Sequence, residues 1–227
     1  MNDRDIFKFN FWPGFADLML SLVLVVLIIL FSVSSLIAGG TIDLEKVEKN
    51  QDKIVGQIKE SVSGHYNISE NRDEKADIYV LKELDRQIIT FSDKVLFDSD
   101  EYLLKDDGKI ILSVVSNAIK GNLDYIQEIQ IQGHADTDGG SRYGSNLKLA
   151  SLRAISVHEF LQAAGIDPVN SLMSITSFGE YKPIQRRNGE KYIMDTLKQA
   201  NSSSELKAKN RRIEILLFYK NEMGHNS

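Results

Sequence analysis

Between residues 18 and 38 the chain carries no charged side chain, whereas from residue 76 onward apolar residues recur at periods of two and of three to four. At ~1.5 Å rise per residue, the uncharged run is about 30 Å of helix, enough to cross the hydrocarbon core of a bilayer. Phe7, Phe9, Phe11 and Trp12 precede it as an aromatic cluster suited to the headgroup layer. Pro13 suits the first turn of a helix, and Gly39 and Gly40 predict its stop. A cleaved signal peptide would use the small residues after Ser35. The run is longer than a signal core, however, and Asp17 stands where a basic region should be. A retained span over residues 15–38 is therefore predicted, after a cytoplasmic segment 1–14. Flanking charge does not orient it, because Arg4 and Lys8 precede the span while Lys46, Lys49 and Lys53 follow.

Residues 39–75 are charged and poor in aromatics, and they read as a helical linker. Leu44, Val47, Gln51, Ile54 and Ile58 recur at alternating three- and four-residue steps. Such a seam predicts either an amphipathic helix lying on the membrane or the next domain, or a two-stranded contact between copies. Residues 64–72 (GHYNISENR) read as a loop.

Residues 76–220 carry the pattern of one α+β domain, followed by a tail at 221–227. Strands are predicted at 77–83, 86–91, 126–133, 171–178 and 211–219 from alternation and β-branched content. Helices are predicted at 106–122, with Ile110, Ile111, Val114, Val115 and Ala118 on the core face, and at 147–164, with Ala150, Ala154, Val157 and Leu161 inward. The order β-β-α-β-α-β-β implies an α/β sandwich with helices on one face of a sheet. The polar stretch 182–209 is expected to be a mobile flap.

Composition narrows the chemistry. A net charge of -5 gives no basic surface for nucleic acid. There is no cysteine, so disulfides, thiolate metal sites and cysteine nucleophiles are excluded. His134, Asp136 and Asp138 make a poor metal set, and no serine stands in a hydrolase triad context. No metal, no cofactor and no enzymatic activity are expected.

Five blocks in order then carry a resemblance: Gly133-His134-Ala135-Asp136, SNLKLASLRA at 145–154, Gly165-Ile166, Phe178-Gly179-Glu180 with Pro183, and NRRIEI at 210–215. Together they resemble the OmpA-like peptidoglycan-binding domains of the OmpA/MotB family. Ala135 departs from that pattern, replacing a threonine, and the stretch 137–144 is longer than in outer-membrane members. The resemblance implies that Asp136 and Arg153 bind the diaminopimelate of a peptidoglycan stem peptide, with Asn146 and Leu149 lining the cleft and Arg212 assisting from the last strand. The residue types suit that task. A guanidinium takes a carboxylate bidentately while an aspartate accepts from an ammonium.

A second stretch, WPGFADLM at 12–19, resembles the membrane element of stator B subunits. That resemblance implies a proton-carrying Asp17, protons as the transported ion, a multi-span A subunit as partner and a homodimer. It also implies an inner-membrane location with the N-terminus cytoplasmic and the C-terminal domain periplasmic. The Leu/Val/Ile-rich span and compact length look most like the B subunits of Zorya anti-phage defence motors. A flagellar stator B subunit or a passive wall tether are the alternatives. The bland reading of Asp17 is a carboxylate favoured at a helix N-terminus.

Overall fold

The computed structural model describes residues 11–62, 64, 66–71, 76–138, 142–187 and 189–220, with 36–43 by backbone alone. The aromatic residues Phe7 and Phe9, the charges Arg4 and Lys8, and the tail 221–227 lie outside the described residues. Two compact units make up the chain, Met1–Glu45 and Lys46–Ser227.

The first helix, α1, runs from Trp12 to Val62. Gly39 and Gly40 do not stop it, which corrects the break expected there. Glycine is a weak helix breaker, and it is common in helices that cross membranes. Within α1, Trp12–Ser35 is long and apolar enough to span a bilayer, and no other described helix is. Leu20, Leu24, Leu27, Leu30 and Phe31 are each more than half exposed, so this stretch buries no stripe against the chain itself. A helix that is apolar all round calls for lipid or partner helices as its surroundings.

The last turns of α1 belong to the second unit. Gln51, Ile54, Ile58 and Val62 are buried, and the isoleucines join the core of the domain that follows. The seam read from the sequence is thus taken up inside the chain, with Leu44 left exposed at its start. A contact between copies through Ile54 and Ile58 is excluded in this conformation. Gln51 is the polar member of the seam for a reason. Its amide donates to the carbonyls of Glu83 (2.9 Å) and Arg86 (3.2 Å), closing the turn between two strands.

The elements that follow are β1 (Ile68–Ser69), β2 (Ile78–Lys82), β3 (Arg86–Ser92), the short α2 (Asp93–Leu96) and α3 (Asp106–Lys120). Then come β4 (Ile126–His134), α4 (Asn146–Ala163), β5 (Leu172–Gly179), α5 (Met194–Gln199), α6 (Ser204–Asn210) and β6 (Arg212–Tyr219). The sheet order is β1-β2-β3-β6-β4-β5, with β1–β2 and β4–β5 parallel and the other neighbours antiparallel. Each predicted strand and helix of the domain is present. Three features were not foreseen: β1 lies in the expected loop, the short α2 follows β3 directly, and the polar stretch expected to be a mobile flap folds into α5 and α6 around buried Leu197, Asn201 and Asn210.

The end of α1, α3 and α4 cover one sheet face. Ile89 and Phe91 of β3 point there, as do Ile129 and Ile131 of β4 and Ile213, Ile215 and Leu217 of β6. On α3 the buried positions are Ile111, Leu112, Val115, Ala118 and Ile119, while Ile110, expected inward, is 62% exposed. Gly133 sets how closely α4 lies on β4, because a Cβ there would come within 2.1 Å of the Ala150 carbonyl oxygen. That glycine is required by contact.

Candidate ligand site at the end of the sheet

Two loops and two element ends meet where β4 finishes and β6 begins. Asp136 follows β4 and is held by its own turn, its Oδ1 accepting from the Asp138 amide at 3.0 Å. Asn146 opens α4, whose N-cap Ser145 accepts from the Lys148 amide at 3.2 Å. The Asn146 amide donates to the Asp136 carbonyl at 3.0 Å, so the first turn of the helix fixes the aspartate's backbone. Leu149 and Arg153 follow on the same side of α4, three and seven residues on, and both are buried.

Arg153 does not touch Asp136 directly. Its Nε donates to the Glu101 carbonyl at 2.8 Å, its Nη1 lies 3.4 Å from Asp93 Oδ2, and its guanidinium sits 5.1 Å over the Phe97 ring. Burial lowers its pKa while the Asp93 charge opposes the drop. Asp136 is met by Arg211, whose Nη1 is 2.5 Å from Asp136 Oδ2 and whose Nε is 3.2 Å from Asp93 Oδ2. For Arg211, burial works downward, but the bonds to Asp136 and the Asp93 charge prevail and raise its pKa. The four groups form an alternating row: Asp136, Arg211, Asp93, Arg153. Its two ends are a carboxylate and a guanidinium. Tyr143 donates to Glu101 at 3.1 Å, and Arg142 pairs with the same carboxylate at 2.9 Å, closing the rim beside Arg153.

Arg212, expected to assist from the last strand, is placed elsewhere. Strand alternation turns it to the sheet face away from the helices, where Nε donates to Glu214 Oε1 at 2.7 Å. That face holds a second ionic group. His134 Nε2 lies 3.4 Å from Glu214 Oε2, and Nδ1 has no hydrogen-bond partner among the described residues. The imidazole stacks on Phe178 with centroids 5.3 Å apart. Burial, then the Arg212 charge, lowers the His134 pKa to about 4, against the pull of Glu214. Burial alone would raise Glu214, but Arg212 and His134 hold it well below the usual carboxylate range.

Arg211 and Asp93 are therefore the two residues of the row that were not foreseen. Parity could have found Arg211, since odd positions from 213 to 219 face the helices. Asp93 carries no motif of its own.

The comparisons with known proteins give the class first. Residues 96–192 match the OmpA family, and the second unit has the fold of an OmpA-like domain. Among particular relatives, outer membrane protein A of Bordetella avium is 30% identical over 127 residues, 56% of this chain and 55% of that protein. Motility protein B of Bacillus subtilis is 27% identical over 134 residues, 58% of this chain and 44% of that protein. The chain thus spans about half the length of the curated relatives it matches. A MotB-like protein of Desulfovibrio vulgaris superposes with a TM-score of 0.62 at 18% identity, covering 82% of this chain and 99% of that one.

Proposed function

We propose that the second unit binds the peptidoglycan stem peptide by its diaminopimelate zwitterion, and so anchors a membrane complex to the cell wall. The observation that carries this is the alternating row of charges. At rest each end is held by an inner counter-charge, Asp136 by Arg211 and Arg153 by Asp93. A zwitterion entering the cleft brings an ammonium to Asp136 and a carboxylate to Arg153. No charge is then left unpaired, because Arg211 and Asp93 keep each other. The test is sedimentation of the chain with purified sacculi. Arg153→Ala is expected to weaken binding by about 2–5 kcal/mol, as for one partner of a buried pair. Binding that survives both Arg153→Ala and Asp136→Ala overturns the assignment.

The rest of the proposal concerns the span. In this reading the chain is the B subunit of a proton-driven inner-membrane motor of the Zorya defence type, with a multi-span A subunit around the exposed apolar helix. The domain is periplasmic and the N-terminus cytoplasmic. Asp17 stands in the second turn of α1 within the apolar stretch, and the Ser21 hydroxyl donates to its backbone carbonyl at 2.9 Å. A carboxylate inside a span is costly and is characteristically functional. The second copy required by the motor reading pairs through surfaces other than the 44–58 seam. The similarity to motility protein B favours one rival, a flagellar stator. Asp17→Asn is expected to assemble with the partner and bind sacculi, yet abolish phage resistance or motility. Full activity in that variant reduces the chain to a tether.

A further inference from the structure

A cavity of about 470 Å³ opens on the segment after β5, lined by Phe178, Tyr181, Lys182, Arg187 and Lys191 among others. Its charge is opposite to that of the whole chain. Residues 181–191 hold four cations and one carboxylate, in a protein of net charge -5. The cations divide into two kinds. Arg186 shapes the loop, donating to the carbonyls of Tyr181 and of Glu190 (3.0 Å from Nη2) and lying 5.0 Å over the Tyr192 ring. Glu190 in turn accepts from the Arg187 amide at 3.0 Å, and Gly189 makes the turn at φ +78°. Arg187 and Lys191 are exposed at the mouth, and among the described residues neither side chain has an ion-pair partner. The loop is thus held by its own bonds and presents two cations beside an aromatic wall.

The cavity opens at the same end of the sheet as the charge row but on the other face, the one that carries His134 and Arg212. The Ile184 amide donates to Asn210 Oδ1 at 2.9 Å, and Arg212 Nη2 reaches the Lys182 carbonyl at 3.4 Å. Both anchors flank Arg211. We infer that this cavity is a second, carboxylate-binding subsite, which takes a further carboxylate of the acidic peptide whose diaminopimelate sits between Asp136 and Arg153. The inference rests on the wall-binding reading above. In a stem peptide the residue before diaminopimelate is a γ-linked glutamate with a free α-carboxylate, which some walls amidate. Arg187 offers a bidentate fork to such a group and Lys191 a point charge.

The experiment uses the full chain in detergent with three probes: free meso-diaminopimelate, sacculi with unmodified γ-glutamate, and sacculi in which that carboxylate is amidated. The wild type is expected to prefer the unmodified wall. The double charge reversal Arg187→Glu with Lys191→Glu is expected to weaken unmodified-wall binding roughly tenfold or more, and to abolish the preference. Its affinity for free diaminopimelate should equal wild type, which also shows that the variant is folded. Wild-type binding to both walls in the reversed variant overturns the subsite alone. A wild-type chain that binds neither sacculi nor diaminopimelate overturns the wall-binding reading, and the subsite with it.

Discussion

Arg211 and Arg212 are chain neighbours, and each leads into an ionic group of a different kind. On the helix face, Arg211 and Asp93 each have two opposite charges within reach, and the row ends in a carboxylate and a guanidinium. On the other face, Arg212 and Glu214 have each other, with a largely buried imidazole alongside. The first arrangement can exchange partners without stranding a charge. The second cannot, because Arg212 has Glu214 as its one carboxylate partner among the described residues. Redundant pairing marks a place where a ligand can enter, and exclusive pairing marks a support.

The largest effect expected from this contrast is on stability. Glu214→Ala leaves the Arg212 guanidinium 4% exposed and without its carboxylate. The cost is about 3–5 kcal/mol, as for other broken buried pairs. Urea unfolding of a fragment beginning at Lys46 measures it, since that unit carries its own core. A fragment beginning at residue 76 would lack Ile54, Val55, Ile58 and Val62, so it is the wrong starting point. A loss no greater than that of an exposed substitution would remove the distinction between the two ionic groups.

A smaller effect follows from His134. Its pKa is about 4 in the fold against an ordinary 6.5, so the unfolded chain binds the proton more tightly. The contribution is full above pH 6.5 and is lost as pH falls toward 4, a change on the order of 3 kcal/mol. Glu214, held low, adds a loss that begins near its ordinary 4.5 and continues below it, so it overlaps only the bottom of that window. His134→Gln should therefore flatten the stability difference between pH 6.5 and 4 relative to wild type, whatever it costs at pH 7. An unchanged slope would mean that the imidazole is not held neutral by its surroundings.

These two groups also show what could be read from the chain and what could not. β4 and α4 were legible because one face of each is apolar at its proper period; Asp136 follows the end of β4, Asn146 opens α4, and Leu149 and Arg153 lie on its first three turns. Arg211 was obscured by standing one residue before the strand, although the parity of Ile213 and Ile215 extends to it. Asp93 depends on β3 running directly into α2, a junction no local pattern announces. The 44–58 seam was legible as a buried stripe but not as to what buries it. A heptad spacing is the same whether the covering surface is a second helix or the chain's own domain. The stretch after β5 lacked a periodic apolar signal because α5 and α6 are one or two turns long and rest on Asn201 and Asn210.

The smallest effect puts the contrast to its most direct test. Arg153 is as buried as Arg212, at 3% against 4% exposure, so burial alone predicts equal losses on breaking either group. Pairing predicts otherwise. In Arg153→Ala, Asp93 keeps Arg211 at 3.2 Å, and Asp136 keeps the same arginine. What is lost is the bond to the Glu101 carbonyl and the packing on Phe97, together on the order of 1–2 kcal/mol. The fragment carrying Arg153→Ala should thus unfold at only slightly lower urea than wild type, while its binding to sacculi fails. A stability loss equal to that of Glu214→Ala would show the row to be as rigid a support as the closed face, and the exchange of partners that ligand entry requires would then be ruled out.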